Sequence, residues 1–459
     1  MKHHIIYIHT HDSGRILSPY GYDVPTQSLK AFTKDATIFR EAYCVGPTCS
    51  PSRSGLLTGM YPHSNGMYGL SQRGFKLHDY NQHLVNYLNK RAYNTVLCGI
   101  QHEAGSYIDH EAGAKIIGYK QDITADNTGL AEEELAKWDY ENALKTKEWL
   151  ESYQEDKPFF LSFGLFSTHR KFPEEGHENK EEIDPKYVMP PTPLSDDYPI
   201  REDYAGYLKS ATWADESFKV VIEAIKEAGF YDNSIIIFTT DHGISFPFNK
   251  CNLFDAGIGV SLIMRVPGSR MNGEEVEGLV SQVDVFPTLC DLLNLDKPDY
   301  LQGESFAYLF EDKEGTEREE IFSEINYHTA YEPARSVRTK RYKYIKFYDK
   351  SYLKINRTNI DNSISKDYYQ ANGLEQIEKP EEALYDLLYD PSETNNLIED
   401  VKYQSIADEL RQKLLQHQLE TNDPILNGHF KLEEGWKINK SENYNPSSKD
   451  PNDFLKVGE

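Results

Sequence analysis

The chain has 459 residues, with 49 Lys and Arg against 74 Asp and Glu, and therefore a formal net charge of −25 at pH 7. A surface this acidic argues against binding to a nucleic acid backbone, and any anionic substrate needs a local cationic site. With 39% hydrophobic and 27% charged residues, the composition is typical of a soluble globular protein and excludes disordered and fibrous classes. The five cysteines, an odd number, imply no disulfide framework.

The first ten residues predict one short strand, and they contain neither the apolar stretch nor the cleavage site of a secretory signal. No run of about 18 apolar residues is present, so we expect no membrane-spanning helix. These features predict a cytoplasmic protein without a membrane partner, although a trimmed secreted or periplasmic form would begin in the same way.

Apolar patterning over residues 1–334 predicts strands that alternate with long helices. The expected strands are 4–10, 94–100, 158–166, 234–240 and 260–266, and the expected helices are 25–36, 81–92, 134–153 and 203–228. This alternation predicts an α/β domain with a large mixed, mostly parallel sheet flanked by helices.

The pattern changes after about residue 334. Residues 336–347 alternate in polarity and predict an antiparallel hairpin strand, followed by a strand at 383–388 and a helix at 405–420. We therefore predict a catalytic domain at 1–334, a smaller C-terminal α+β domain at 335–431 built on an antiparallel sheet, and a polar tail at 432–459 that wraps the surface or frays.

Polar side chains follow four of the predicted strands. His11 and Asp12 come after the first strand, and His102 and His169 follow the strands at 94–100 and 158–166. The fourth cluster, Asp241 with His242, follows the strand at 234–240. Because ligand sites in parallel sheets lie beyond the carboxyl ends of strands, we expect these side chains to converge on one site.

Residues 49–59, CSPSRSGLLTG, are the most informative stretch. Ser50 has the properties of a helix N-cap, Pro51 suits the first helical position, and Gly59 suits the stop. Cys49 is therefore expected just before a short helix, near the positive end of its dipole, where a thiol pKa is lowered and anions bind. On local grounds alone, a capped surface helix beside a buried cysteine is the alternative.

This stretch resembles the Cys-X-Pro-Ser-Arg and Leu-Thr-Gly signature of the type I sulfatases, members of the alkaline-phosphatase-like superfamily. Further resemblances are TDHG at 240–243, VDVFPT at 283–288 and DPSETNNL at 390–397. The stretch NGMYGL at 65–70 resembles the heparan N-sulfatase branch, also called sulfamidases. The resemblance implies the superfamily fold and hydrolysis of a sulfamate or sulfate ester on a sugar, with exo action on N-sulfated glucosamine of heparan-derived saccharides.

The resemblance also implies roles for the motif residues. A separate maturing enzyme is expected to oxidise Cys49 to formylglycine in the unfolded chain, and Arg53 is expected to hold the hydrated aldehyde. Asp12, Asp241 and His242, with the Cys49 position, are expected to bind a divalent metal. One hydroxyl of the hydrate attacks sulfur, and the second drives elimination of sulfate, while the metal polarises a sulfate oxygen.

Five further residues carry expectations from the family pattern. Lys250 and His102 match sulfate-binding positions, and His169 matches the histidine at the leaving group, which makes it the candidate general acid. Tyr68, near the signature helix, and Arg335, at the start of the C-terminal domain, are candidate substrate contacts.

Two departures from the family pattern concern the site. Ile100 stands where the family often has a lysine, and His11 stands where it often has the first Asp of an Asp-Asp pair. Calcium is the family default and the metal we expect, because it prefers oxygen ligands. If His11 also binds, two imidazoles shift the preference toward manganese, zinc or iron.

Other functions stay open from the sequence. The enzyme could be an O-sulfatase on an amino sugar or another glycan. Related phosphonate monoester hydrolases and phosphodiesterases also combine a Cys-X-Pro-X-Arg nucleophile with an Asp-His metal pair. A non-enzymatic anion-binding protein is disfavoured, because Asp12, Arg53, Asp241, His169 and Lys250 are all present.

Overall fold

A computed structural model describes residues 3–106, 109–311, 314–428 and 430–456. The large sheet contains β1 (His4–His9), β2 (Thr37–Tyr43), β3 (Asn94–Gly99), β4 (Gln121–Asp122), β5 (Phe159–Gly164), β6 (Ser234–Thr239), β7 (Leu262–Arg265) and β8 (Glu275–Ser281). A second sheet contains β9 (Glu320–Tyr327), β10 (Tyr331–Thr339), β11 (Tyr342–Phe347) and β12 (Glu382–Asp386). The helices are α1 (Gln27–Phe32), α2 (Cys49–Thr58), α3 (Pro62–Asn65), α4 (Leu84–Asn89), α5 (His110–Ile117), α6 (Leu135–Ser152), α7 (Tyr198–Glu227), α8 (Asp255–Ile258), α9 (Val285–Leu292), α10 (Ile364–Ala371) and α11 (Gln404–Glu420).

The large sheet has the strand order β4-β3-β5-β1-β6-β7-β2-β8. Only β7 among these strands runs antiparallel to its neighbours, β6 and β2, which confirms the predicted mixed and mostly parallel sheet. The prediction omitted β2 and β8. Both have charged residues in their sequences, TIFREAY and EVEGLVS, and therefore lack the continuous apolar run that marks the central strands.

Helices cover both faces of this sheet. The central strands β1, β5 and β6 are buried along their whole length, as expected for strands with two covered faces. On one face, α1, α6 and the 30-residue α7 supply the apolar cluster, and on the other face α2, α4 and α9 do so. Within the described ranges, no helix combines the length and apolarity needed to cross a membrane.

The second sheet is antiparallel, in the order β12-β11-β10-β9. The predicted single strand at 336–347 is instead the end of β10, a tight turn at Lys340 and Arg341, and β11. The predicted domain boundary after residue 334 falls inside β10, so we place the start of this sheet at Glu320. One face packs on the main core through Ile325, and the other carries α11.

The tail wraps the molecule rather than fraying over residues 430–456. Ile438 and Asn439 are buried, and Asn439 pairs with Ala330 and Phe454. Arg73 donates hydrogen bonds to three tail groups, the carbonyl oxygens of residues 437 and 446 and Oδ1 of Asn439. The tail is therefore fastened next to the loop that follows the signature helix.

Candidate active site

Four neighbouring strands, β3, β5, β1 and β6, deliver the polar clusters to one edge of the sheet. Backbone hydrogen bonds join the loops that follow them: the N–H of His11 donates to Ser167 at 3.0 Å, and that of Thr168 donates to His11 at 2.7 Å. The N–H of Gly14 reaches the carbonyl of His242 at 2.8 Å. The clusters at the strand ends therefore meet, as the strand-end argument predicts.

Helix α2 carries the signature and forms the floor of the site. It begins at Cys49, with Thr48 at the N-cap, and ends at Gly59 in a left-handed conformation with φ 65°. The prediction that Ser50 caps the helix and that Cys49 precedes it is wrong, because the N-cap lies two residues earlier and Cys49 is the first helical residue. Gly55 is required, because a Cβ there would lie 2.2 Å from a methyl of Val45. Cys49 is only 1% exposed, so α2 is a buried helix and not a surface one. The expected lowering of the Cys49 thiol pKa is wrong, because burial raises that pKa well above its usual range.

Four side chains can hold a cation. The ligand atoms of Asp12, Cys49, Asp241 and His242 all lie within 4.8 Å of one another, and all four residues are buried. His242 Nε2 lies 3.2 Å from Asp12 Oδ1 and 3.4 Å from Cys49 Sγ. The backbone N–H of Asp12, at φ 53°, donates to Asp241 at 2.8 Å. Two carboxylates and one imidazole suit a divalent metal.

His11 lies beside this set rather than within it. Its Nδ1 is 3.1 Å from Asp12 Oδ1 and 3.7 Å from Asp241 Oδ2. The atoms of His11 cluster with Asp12, Cys49 and His169 in a second set that lacks Asp241 and His242. The structure therefore groups His11 with Asp12 and Cys49, but not with Asp241 and His242.

Two cations neutralise the two buried carboxylates. Arg53 donates from Nε to Asp241 Oδ2 at 3.2 Å, and its Nη2 lies 3.1 Å from the same oxygen. Lys250 Nζ lies 2.9 Å from Asp12 Oδ2 and 3.0 Å from Asp361 Oδ2. Since a buried ion pair is tolerated only with matched partners, these cations fix the carboxylates and supply positive charge for an anionic substrate.

The titration state of the site follows from burial and these neighbours. Burial raises the pKa of Asp12, but Lys250, His169 and His242 outweigh it and hold this pKa well below its usual range. Burial likewise opposes ionisation of Asp241, yet His242, His11 and Arg53 lower its pKa. Both carboxylates are therefore anionic. Burial lowers the pKa of His11 to about 4, which leaves a neutral imidazole.

The remaining predicted histidines border the same space. His102 is buried, and its ring contacts Gln72 at 2.9 Å and His11 at 3.3 Å. His169 Nε2 lies 3.9 Å from Asp12 Oδ2, with its side chain 17% exposed. Asp139 of α6 accepts hydrogen bonds from the backbone of residues 166 and 167, at 2.7 and 2.8 Å. This buried carboxylate therefore anchors the segment that carries His169.

The two candidate substrate contacts have different surroundings. Tyr68 packs against Phe430 and Trp436 of the tail. Arg335 donates two hydrogen bonds to Asp423, at 2.6 and 2.9 Å, and others to backbone carbonyls. Because the Arg335 guanidinium is buried and committed to these partners, the interpretation of Arg335 as a substrate contact gives way to a structural role.

Sequence reasoning missed three residues of the site. Asp361 reaches Lys250 from the C-terminal part of the chain, Gln72 contacts His102, and His9 contacts Arg53. His9 ends β1 and could have been found from its place beside His11. Asp361 and Gln72 belong to no motif, and only tertiary structure brings them here. Together these groups form a buried site that can hold a divalent cation and place cationic side chains beside a small anion.

Family models identify the class. Residues 3–295 match the Sulfatase model, and residues 241–380 match the model described as N-sulphoglucosamine sulphohydrolase, C-terminal. The chain therefore belongs to the sulfatase family, within the alkaline-phosphatase-like superfamily, and is a hydrolase that acts on sulfate esters. The predicted family, fold and enzyme class are confirmed.

Two relatives in sequence are sulfatases. Human N-sulphoglucosamine sulphohydrolase is 26% identical over 461 residues, covering 87% of this chain and 86% of that protein. An ulvan-active sulfatase of Formosa agariphila is 26% identical over 465 residues, covering 89% of this chain and 74% of the relative.

Solved structures share the fold. One, in complex with its substrate D-glucosamine-2-N,6-O-disulfate, has a TM-score of 0.67 and 18% identity, covering 92% of this chain and 99% of the other. The phosphonate monoester hydrolase of Agrobacterium radiobacter has a TM-score of 0.68 and 19% identity, covering 95% and 99%. At these identities the likeness concerns the fold.

Proposed function

We propose that this enzyme removes sulfate from an N-sulfated glucosamine unit at the end of a heparan-type saccharide, using a formylglycine made from Cys49. The observation that carries this proposal is the match of residues 241–380 to the N-sulphoglucosamine sulphohydrolase model. That range includes Asp241, His242 and Lys250, so the matched segment supplies part of the metal set and a cation of the site.

The chain's own residues divide the work on the substrate. A hydrated aldehyde at position 49, held by Arg53, would supply the oxygen that attacks sulfur, and its second hydroxyl would drive elimination of the transferred sulfate and restore the aldehyde. Lys250 neutralises charge that builds on the sulfate oxygens. His169, at the more open side of the site, gives a proton to the departing nitrogen. The scissile S–N bond breaks opposite the new S–O bond.

A divalent cation bound by Asp12, Asp241 and His242 would polarise a sulfate oxygen and acidify the nucleophile. We propose calcium, the family default. The imidazole of His242 makes manganese and zinc the alternatives, because nitrogen ligands favour them over calcium.

The charge distribution supports a short substrate. The net charge of −25 repels a long polyanion. One terminal sulfate would meet Arg53, Lys250 and the bound divalent cation, whose four positive charges together exceed the three negative charges of Asp12, Asp241 and Asp361. Small saccharides are also the form in which a cytoplasmic enzyme, the location we propose, would meet its substrate.

The test is a comparison of sulfate release from three compounds by protein co-expressed with a formylglycine-generating enzyme. Intact mass first establishes conversion of Cys49. We expect the highest kcat/KM on glucosamine N-sulfate, ahead of glucosamine 6-sulfate and an aryl sulfate. Clear release from the 6-O-sulfated sugar, with none from the N-sulfated sugar, would overturn the N-sulfate choice.

One observation favours a second candidate activity. His242 beside Asp241 gives the Asp-His metal pair of phosphonate monoester hydrolases, and such an enzyme shares the fold. An aryl phosphonate monoester belongs in the same assay. A higher kcat/KM on it than on every sulfate compound would make phosphonate hydrolysis the main activity.

A further inference from the structure

Asp361 is a carboxylate in a site built for an anion, and its presence there needs an explanation. It follows the turn Arg357–Asn359 and lies outside the signature motifs. Its Oδ2 accepts from Lys250 Nζ at 3.0 Å. Among the described residues, Oδ1 of Asp361 receives no hydrogen bond from the protein. The carboxylate therefore has an acceptor left for a ligand.

The position of Asp361 is fixed by its neighbours in sequence. Asn359 accepts hydrogen bonds from the backbone of residues 329 and 330, at 3.1 and 2.8 Å, and donates to Glu332 at 2.7 Å. On the other side, Lys366 Nζ donates to the carbonyl of Ile360 at 2.8 Å. A carboxylate held in this way can select a ligand by geometry.

The exposed fraction of the charged side chains increases from the buried floor of the site toward its opening. The side chain of Asp12 is 0% exposed, that of Lys250 4% and that of Asp361 18%. His169, the candidate proton donor for the leaving group, is 17% exposed. Asp361 and His169 are thus the more exposed of these groups, and both border Asp12: Lys250 bridges Asp361 to Asp12 Oδ2, and His169 Nε2 lies 3.9 Å from the same oxygen. The atom that leaves sulfur, between the sulfate and the sugar, is expected on this more open side.

Sulfamates and sulfate esters differ at that atom. The scissile nitrogen of a sulfamate carries an N–H, which donates a hydrogen bond, whereas the scissile oxygen of an ester offers only lone pairs. A carboxylate favours the first and repels the second. A site built to hydrogen-bond a donor also discriminates strongly against an analogue that lacks it.

We propose that Asp361 selects sulfamates over sulfate esters by accepting a hydrogen bond from the N–H of the scissile S–N bond. This inference rests on the proposed function and names the residue that sets its specificity. As the S–N bond breaks, its electron pair stays on nitrogen, which takes a proton from His169. Asp361 takes no proton and holds the product amine by the same contact.

The isosteric variant Asp361→Asn tests the proposal, with Asp408→Asn on the exposed face of α11 as the matched control. In formylglycine-bearing protein, we expect Asp361→Asn to lower kcat/KM on glucosamine N-sulfate by about 10- to 100-fold, the usual range for losing a hydrogen bond to a charged group. On glucosamine 6-sulfate, kcat/KM should hold or rise. Asp408→Asn should leave the ratio of the two substrates as in the wild type.

The outcomes separate the two proposals. Equal losses on both substrates would show that Asp361 only positions Lys250, and no loss on either substrate would show that Asp361 makes no contact that matters for turnover. Either result overturns the inference, while sulfamate turnover by the wild type keeps the proposed function. Absence of sulfamate turnover in the wild type, with ester turnover present, would overturn both.

A binding measurement gives a readout that needs no formylglycine. Calorimetry with glucosamine, whose ammonium is the product group facing Asp361, should show at least tenfold weaker binding to Asp361→Asn. Binding of inorganic sulfate should not weaken. Equal glucosamine affinity in the wild type and the variant would overturn the contact.

Discussion

The floor of the site and its rim are built in different ways. The floor consists of Cys49, Arg53, Asp12, Asp241 and His242, which lie at strand ends or on α2 and are at most 2% exposed. The rim consists of His169, Asp361, Tyr68 and the tail at 430–456, which come from distant segments. Arg53 neutralises Asp241 within the floor, and Lys250 at its border neutralises Asp12. In the rim, one carboxylate oxygen of Asp361 receives no hydrogen bond from the described residues. The residues that can hold the metal thus stand in short motifs, whereas long-range contacts bring the groups at the opening together.

The largest expected effect is at the floor. Cys49→Ala should abolish turnover, by at least about 10⁴-fold, because it removes the covalent nucleophile. Cys98→Ala, in the buried strand β3, is the control for loss of a buried thiol and should remain active. Measurement of kcat/KM and of the thermal midpoint separates chemistry from folding. Substantial turnover by purified Cys49→Ala would contradict the nucleophile assignment.

A second floor variant tests the metal set. His242→Ala should lower bound metal and kcat together, by about 10²-fold in kcat, since a metal-stabilised charge is lost. Elemental analysis of purified protein gives the occupancy, and His78→Ala, an exposed histidine, is the control. Full metal occupancy in both Asp12→Ala and Asp241→Ala would refute the site.

The boundary between floor and rim is Lys250. Lys250→Met should lower kcat/KM by about 10²-fold, because a buried cation facing the sulfate is removed. Asp12 and Asp361 also lose their shared partner, so the thermal midpoint should fall. A comparison of kcat/KM on sulfamate and ester substrates checks the role, since Lys250 should matter for both. A decrease in kcat/KM on only one of the two substrate classes would show that Lys250 contributes to substrate selection and not to general binding of sulfate.

Asp139, which anchors the segment that carries His169, should make the stability of the protein depend on pH. Burial raises the pKa of Asp139 from 3.8 to about 7. The folded protein therefore retains this proton between about pH 4 and 7, where the unfolded chain has released it, and stability contributed by the group falls as pH rises. In the wild type, the free energy of unfolding should decrease between pH 5 and 8. In Asp139→Asn this decrease should be smaller by about 2 to 4 kcal/mol. Urea titrations of both proteins measure the slopes, and identical slopes would show that Asp139 ionises normally.

The smallest effect on turnover is expected at Arg335. Arg335→Met should change kcat/KM less than about threefold, yet destabilise the fold by about 3 to 5 kcal/mol, since Asp423 is left buried without its partner. Urea unfolding and steady-state kinetics on one preparation check both parts. A large loss of kcat/KM at unchanged stability would instead support the prediction that Arg335 contacts the substrate.

The same contrast explains what could be predicted from sequence. Cys49, Arg53 and Asp241 stand in contiguous motifs, and the apolar central strands predict the sheet that brings them together. The placement of the rim residues depends on contacts such as that between Asp361 and Lys250, which are 111 positions apart in the sequence. Such contacts produce no local sequence pattern from which they could be predicted. Strand β2, which carries charged residues and lies between β7 and β8, was missed for a related reason, because it is held by its neighbours and has no continuous apolar run of its own.

The burial of α2 has a consequence for the making of the enzyme. All ten of its residues are buried, so a maturing enzyme cannot reach Cys49 once the native state forms. Under the proposed modification, the yield of active molecules is set by a race between oxidation and folding of the nascent chain. Conditions that delay collapse should raise the active fraction, and a molecule that folds first stays inert for its lifetime, however much maturase is added later.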